Sequence, residues 1–477
     1  MVMDRTTLTR RDFAGIALKV SAAMALPSQL LNAVDAGDVR KIRLAGGSPV
    51  EVPANFTGLG YEMLSVSTPG LLSTSNRRCL ELIKGLGPEG VLRVGGIVAN
   101  YTSYKPDGVI AYYPKRTVIT RASLEQFAEF LHATGWTAIW SVNFAQGSLE
   151  QAIDEARAVS AVLGPHLLAL EIGNEVDNYG KSQPFRTPPY KYATYRKEFE
   201  LWHAAIARAV PAVRFAAPDT ASSVDWVERM AQDARGQVQL LTTHYYRNAQ
   251  ARGSAEQLML PDPRLKKIAQ RLQIAAHQSG VPWRMCEMNS FSGGGRPGVS
   301  DSFVGVVWTL NVMLFLAQLG CAGVNMETGM NQLGFISSYS PVQDNGTGLN
   351  TAGVPYYGML AFATALAGCH QMFPLEAASD DPSFAAYVLG SDGSPHNVVV
   401  VNTDPLMETH VSVADLGLPR ASLLRLLAPS LSSTQNVTFG GAEVDTSGHW
   451  QPTTKERVRG TQISVPAMSA AVLIRDR

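Results

Sequence analysis

Apolar and polar positions alternate in two distinct rhythms along the chain. From about Asn55 to Leu366, short runs rich in β-branched and aromatic residues are separated by longer stretches in which apolar residues recur every three to four positions, the pattern of repeated βα units. Eight strands are predicted: Gly58–Leu64, Gly90–Gly95, Thr137–Asn143, Leu167–Gly173, Val213–Pro218, Val238–Tyr245, Pro282–Met288 and Gly323–Thr328. Amphipathic helices are predicted between them, among them Ser123–Thr134, Leu149–Leu163, Lys191–Val210 and Pro263–Gln278. Eight parallel strands are the number that closes a (β/α)8 TIM barrel, with a doubly wound sheet as the competing arrangement. After about Gly368 the rhythm shortens to alternating runs such as Ala385–Leu389, Asn397–Val401, Leu423–Leu427 and Ala470–Ile474, punctuated by Gly, Pro, Asp and Ser, which predicts a β-sandwich. Lys41–Val52 alternates in the same way and is expected to join that sandwich. The expected division is therefore a barrel over 55–367, a sandwich over 368–477 and a contributing strand segment over 37–54.

The first 36 residues read as an address. Thr9-Arg10-Arg11-Asp12-Phe13 carries the paired arginines of a twin-arginine signal, and an Ala-rich apolar run follows from Phe13 to Leu31, so export to the periplasm or beyond is expected. An amphipathic cytosolic helix is the alternative. Downstream, nothing approaches the ~18 consecutive apolar residues of a membrane span. Charged residues make up 17% of the chain and the formal net charge is zero, which points to neither a nucleic-acid nor a membrane partner. The four cysteines show no metal-ligand spacing, so buried free thiols are expected. Cys286 adjoins a candidate catalytic residue, but regular strand alternation would turn it to the opposite face.

Two segments carry the chemistry. Leu170-Glu171-Ile172-Gly173-Asn174-Glu175 and Trp283-Arg284-Met285-Cys286-Glu287 each end an apolar run with a glutamate, at the tips of the fourth and seventh predicted strands. Barrel chemistry sits at the C-terminal ends of strands, and a glycosidase needs one carboxylic acid and one carboxylate on either side of the sugar bond. Glu175 and Glu287 are the candidate pair. The histidines show no ligand spacing and no phosphate-cradling GxGxxG lies between strand and helix, so neither metal nor organic cofactor is expected.

Four motifs at four strand ends give the barrel a more specific resemblance. Leu92-Arg93-Val94-Gly95-Gly96, Asn174-Glu175, His244-Tyr245-Tyr246-Arg247-Asn248, and Glu287-Met288-Asn289-Ser290 with its following Gly293-Gly294-Gly295 loop occur in an order similar to glycoside hydrolase family 79, the β-glucuronidase and heparanase family of the retaining clan A. The resemblance implies Glu175 as acid/base, Glu287 as nucleophile, and Asn174 on the sugar 2-hydroxyl. It implies Tyr245 against Glu287 and the backbone amides of Gly293 and Gly294 on a uronic-acid carboxylate. Glu62 and Asn100 fall where the family binds sugar hydroxyls, although relatives often carry Asp at the second of these, and Tyr339 is a candidate for closing over the carboxylate. A flexible hinge is the other reading of the glycines, and a buried structural tyrosine that of Tyr339. The implied substrate is a β-glucuronide or a uronic-acid-containing glycan. The competing functions are a clan A enzyme acting on a neutral sugar, such as a β-xylosidase, and a non-catalytic carbohydrate-binding protein.

Overall fold

The computed structural model describes residues 39–113, 115–329, 337–344, 350–377, 379–418, 420–458 and 460–476. The expected export signal lies outside them. All eight predicted barrel strands form: β1 (Gly58–Glu62), β2 (Val91–Gly95), β3 (Thr137–Val142), β4 (Leu167–Ile172), β5 (Phe215–Thr220), β6 (Leu240–Ala249), β7 (Trp283–Ser292) and β8 (Val324–Glu327). Each pairs in parallel with the next, and β8 closes on β1 through Met326 opposite Leu59, giving the TIM barrel rather than the doubly wound sheet. Helices fill the intervals, beginning on side-chain caps where the sequence supplies them: Thr120 with Ser123 opens Arg121–Thr134, and Ser148 with Gln151 opens Leu149–Leu163.

Inside the barrel the side chains stack in layers. Near the N-terminal ends, Val91, Ile139, Ala169, Ala216, Leu240 and Cys286 form an apolar cluster. On the β7 and β8 side, Arg284 plugs the floor. Its guanidinium donates to Asn325 Oδ1 at 2.7 Å and to the carbonyls of Asn55, Phe56, Ala322 and Val324. Gly58 and Gly323 leave it room, since a Cβ on Gly323 would stand 1.9 Å from Nη1. Toward the C-terminal ends the interior turns polar, which is unusual for a buried layer and marks where chemistry is placed.

The C-terminal region forms two sheets. The larger runs in the order Val50–Glu51, β9 (Gln371–Phe373), β10 (Phe384–Ser391), β11 (Ser394–Asn402), β13 (Ser469–Arg475), β12 (Ala421–Leu427), Thr438–Phe439. The smaller joins Arg40–Lys41, Thr409–Ser412 and Gln462–Val465. Alternation decides what each face covers. Val398 and Val400 point into the space between the sheets with Val411 and Ile463, whereas Val399 and Val401 join the large core shared with the barrel. Tyr387 donates its hydroxyl to Asn311 on a barrel helix at 2.7 Å, and Asn397 donates to Ala365 O at 2.8 Å. The segment Lys41–Val52 thus pairs at its two ends with different sheets, Arg40–Lys41 with the smaller and Val50–Glu51 with the larger.

Candidate active site

A cleft of about 280 Å³ opens at the C-terminal mouth of the barrel, and its walls include Glu62, Asn174, Glu175, Tyr246, Glu287, Gly293, Gly294, Glu327 and Tyr339. Glu175 and Glu287 face one another across it: their nearest carboxylate oxygens, with a ring nitrogen of His244, all lie within 4.8 Å of one another. Glu175 sits in the left-handed backbone region (φ +51°) just after Gly173 (φ +94°), so the chain turns sharply at the tip of β4 and aims the side chain over the mouth.

Beneath the pair lies a buried charge network centred on Arg93 of β2. Its guanidinium reaches Glu171 Oε2 at 3.0 Å, Asp219 Oδ2 at 2.6 Å, Glu287 Oε2 at 2.9 Å and Asn174 Oδ1 at 2.8 Å. Burial alone would make Arg93 easier to deprotonate, but the charges of Asp219, Glu171 and Glu287 hold its proton tightly. His244 is enclosed in the same way, with Asp219 Oδ1 2.9 Å from Nε2 and Glu175 Oε1 3.4 Å from Nδ1. Burial opposes its protonation, yet the charges of Asp219 and Glu287 lift its pKa well above the usual histidine range, so the ring carries a proton on each nitrogen. Burial would likewise raise Glu175, but the hydrogen bonds and charge of His244, with Asn178, bring it below the ordinary carboxyl value. Both shifts run the same way and favour the proton on the imidazole over the Glu175 carboxyl in the free protein.

The structure places the predicted residues unevenly. Glu62 lines the cleft, where its Oε2 accepts the Val98 N–H at 2.9 Å, and burial followed by the charge of Glu287 raises its carboxyl to about 8. Asn174 lines it while its Oδ1 is held by Arg93. Gly293 and Gly294 also line it, at φ +81° and +90°, and neither N–H has a hydrogen-bond partner among the described residues. Their loop is anchored: Ser338 N donates to Gly294 O at 2.7 Å, Gln250 Nε2 donates to Gly295 O at 2.6 Å, and a Cβ on Gly295 would collide with Ser338 and Tyr339. Tyr339 lies on the wall, its ring centroid 6.2 Å from that of Tyr246.

Two expectations need correction. Tyr245 does not face Glu287; its hydroxyl turns outward to Asp262, and it is Tyr246 that donates to Glu287 Oε1 at 2.8 Å. Successive strand side chains point to opposite faces, and β6 alternates without interruption, so Tyr246 shares the inner face with Leu240 and His244 while Tyr245 turns outward. Asn100 is absent from the cleft wall. It is fully buried behind it, accepting the Tyr179 hydroxyl at 2.7 Å and donating to Gln183, which in turn donates to Glu175 Oε2 at 2.9 Å. A third departure concerns Cys286: the register shift between Met285 and Met288 leaves its sulfur within 4.8 Å of Glu171 and Asp219, inside the barrel rather than outside, where burial raises its thiol far from the reactive range. All four cysteines are buried and free.

The profile of the glycosyl hydrolase family 79 C-terminal beta domain matches residues 383–472. A β-glucuronidase of Aspergillus niger is 26% identical over 368 residues, which cover 68% of this chain and 66% of that protein, just under two thirds of its length. A β-glucuronidase of Neurospora crassa is 24% identical over 417 residues, covering 76% of this chain and 72% of that one. Among solved structures, a 4-O-α-L-rhamnosyl-β-D-glucuronidase of Fusarium oxysporum shares the fold with a TM-score of 0.76 at 17% identity, over 91% of this chain and 100% of that chain.

Proposed function

We propose that the chain is a member of glycoside hydrolase family 79 and that it hydrolyses β-glucuronides by double displacement, a reading supported by the family's C-terminal domain profile and by the two β-glucuronidase relatives. Glu287 attacks the anomeric carbon while Glu175 gives a proton to the departing glycosidic oxygen; the C1–O bond to the aglycone breaks as the ester to Glu287 forms. Glu175 then takes a proton from the water that displaces the ester, and the sugar leaves with its original configuration. The approach of the Glu175 and Glu287 oxygens to within 4.8 Å carries this reading, because an inverting pair would stand about 6.5–9.5 Å apart to admit a water. His244 is placed to return a proton to Glu175 before each first step, and Tyr246 with Arg93 fixes the two oxygens of Glu287. The amides of Gly293 and Gly294, without a hydrogen-bond partner among the described residues, support a carboxylate on the sugar, since clustered N–H groups left open by glycine suit an anion.

The test is kcat/KM for matched aryl β-glucuronide, β-glucoside and β-xyloside. Two charge-assisted hydrogen bonds of roughly 1.5–3 kcal/mol each predict a preference for the glucuronide on the order of a hundredfold or more. Equal or faster cleavage of the neutral sugars rejects the glucuronide reading, and no cleavage of any leaves only sugar binding. The first-formed product should be the β-anomer by NMR; the α-anomer would reject double displacement. Export rests on Arg10 and Arg11, and lysine at both positions should retain the protein in the cytoplasm. Among the described residues no helix is long and apolar enough to cross a membrane.

A further inference from the structure

Glu327 ends β8 as Glu287 ends β7, yet the proposed reaction gives it no task. It lies on the cleft wall, 5% exposed, with Oε2 packed against Gly60 of β1 and without a hydrogen-bond partner. None of the described residues donates to that oxygen. Three other acids, Glu62, Glu175 and Glu287, share the cleft wall with it. β8 stands between β7, which carries Glu287 and runs on toward Gly293 and Gly294, and β1, which ends in Glu62.

Four carboxyls, Glu62, Glu175, Glu287 and Glu327, face one small cleft and cannot all be ionised, and the one without donors is the costliest to charge. Burial, then the charges of Glu287 and Glu62, push Glu327 well above the ordinary carboxyl range, against the opposing pull of Arg93 and His244. Tyr61, Tyr246 and Tyr339, the other titratable groups near it, are also shifted upward by burial and stay neutral. A neutral Glu327 carries an O–H, and among the described residues its Oε2 has no hydrogen-bond partner, so a ligand in the cleft can supply the acceptor.

We propose that Glu327 is a specificity-determining residue that donates this O–H to the carboxylate of the bound uronic acid, together with the Gly293 and Gly294 amides that line the same cleft. The proposal rests on the glucuronide reading and adds a third donor to it. An O–H donated to a carboxylate is among the stronger hydrogen bonds available, and a buried donor built for an anion discriminates against the sugar that lacks one. It also sets a limit: once Glu327 ionises, the donor is gone and a second negative charge faces the substrate, so KM for the glucuronide rises toward alkaline pH.

The experiment compares wild type, Glu327→Gln and Glu327→Leu on aryl β-glucuronide and β-glucoside across pH, with thermal melts to verify folding. Glutamine keeps a neutral donor and cannot titrate; its glucuronide preference should fall by less than tenfold, and the alkaline rise in KM should vanish. Leucine has no donor, so the preference should fall by at least tenfold more than in the glutamine variant, chiefly through KM. Equal preference in the two variants, or a wild-type alkaline limb persisting in Glu327→Gln, overturns the proposal while leaving the glucuronide reading intact. A wild type without preference for the glucuronide overturns that reading and this proposal together.

Discussion

Two arginines are fully buried inside the same barrel, and they serve opposite ends of it. Arg93 lies under the cleft within reach of three carboxylates, Glu171, Asp219 and Glu287, whereas Arg284 lies on the floor among carbonyl oxygens and one asparagine. Their surroundings drive their acidity apart: carboxylates hold the Arg93 proton more firmly than in water, while burial without a neighbouring carboxylate brings Arg284 down to about 10. The floor needs only to be filled and its carbonyls satisfied, so dipoles suffice. The mouth must hold an ionised nucleophile out of bulk water, and for that a full positive charge is required. Burial and residue type alone do not distinguish a structural arginine from a functional one; the charge of its partners does.

The largest effects should come from the carboxylates at the mouth. Glu287→Ala is expected to stop turnover with every leaving group. Glu175→Ala should cost roughly 10²–10⁴-fold with poor leaving groups and much less in the first step with activated aryl glycosides, and added azide should yield the β-glycosyl azide. Normal turnover by Glu287→Ala on an activated substrate would contradict the assignment. Next comes the arginine pair itself. Arg93→Met leaves buried carboxylates unpaired, with a loss of about 3–5 kcal/mol in denaturant unfolding and a fall in kcat of roughly a hundredfold from a misplaced Glu287. Arg284→Met should destabilise by a comparable order through orphaned carbonyls, yet its folded fraction should keep the wild-type pH–rate profile. If Arg284→Met displaces that profile, the two arginines are not separable as drawn.

Tyr246→Phe removes the hydroxyl on Glu287 and should lower kcat/KM about tenfold or more, since a hydrogen bond to a charged group contributes roughly 1.5–3 kcal/mol. Tyr245→Phe, facing Asp262, should leave kcat within a few-fold; the reverse order would restore the first expectation. The smallest effect concerns stability against pH. Glu171, beside Arg93, is raised to about 7, first by burial and then by Asp219. Because the folded protein binds that proton more tightly than the unfolded chain, the stability it contributes is complete below the ordinary carboxyl value of 4.5 and is lost as pH rises through about 7. The melting temperature of wild type relative to Glu171→Gln should therefore fall over that interval. The difference between wild type and Arg284→Met should stay flat, with no carboxylate at that guanidinium to titrate.

The barrel was legible because its signal is periodic and repeated: apolar runs capped by Gly or polar residues mark each strand even where the ends shift by one to four residues, as β6 and β7 do by extending beyond Tyr245 and Met288. The candidate pair was legible for the same reason, an acid terminating an apolar run. That criterion also fits Gly323-Val324-Asn325-Met326-Glu327, so Glu327 could have been found by applying it to the eighth strand. What strand periodicity does not carry is register. The irregularity at Cys286 of β7 decides that Cys286 stays inside with Glu287, and a bulge depends on partner strands far away in sequence; Tyr246, by contrast, follows from plain alternation once His244 is known to face inward. Asn100 was misplaced for a related reason: it lies past a short helix, Gly96–Ala99, whose turn carries it behind the wall.

The clasp formed by Val50–Glu51 and β9 has a consequence in time. The Glu51 and Gln371 side chains hydrogen-bond at 2.8 Å although 320 positions separate them. In thermodynamic terms the separation matters little, because closure entropy grows only by about 0.6 kcal/mol per doubling of the loop. On the ribosome it matters more. Residues 50–51 emerge before any barrel strand and must wait, unpaired, until the whole barrel and the first strand of the larger sheet beyond it have been made, so the order in which the chain is synthesised is not the order in which it is finished. One of the first strands to appear reaches its place only near the end.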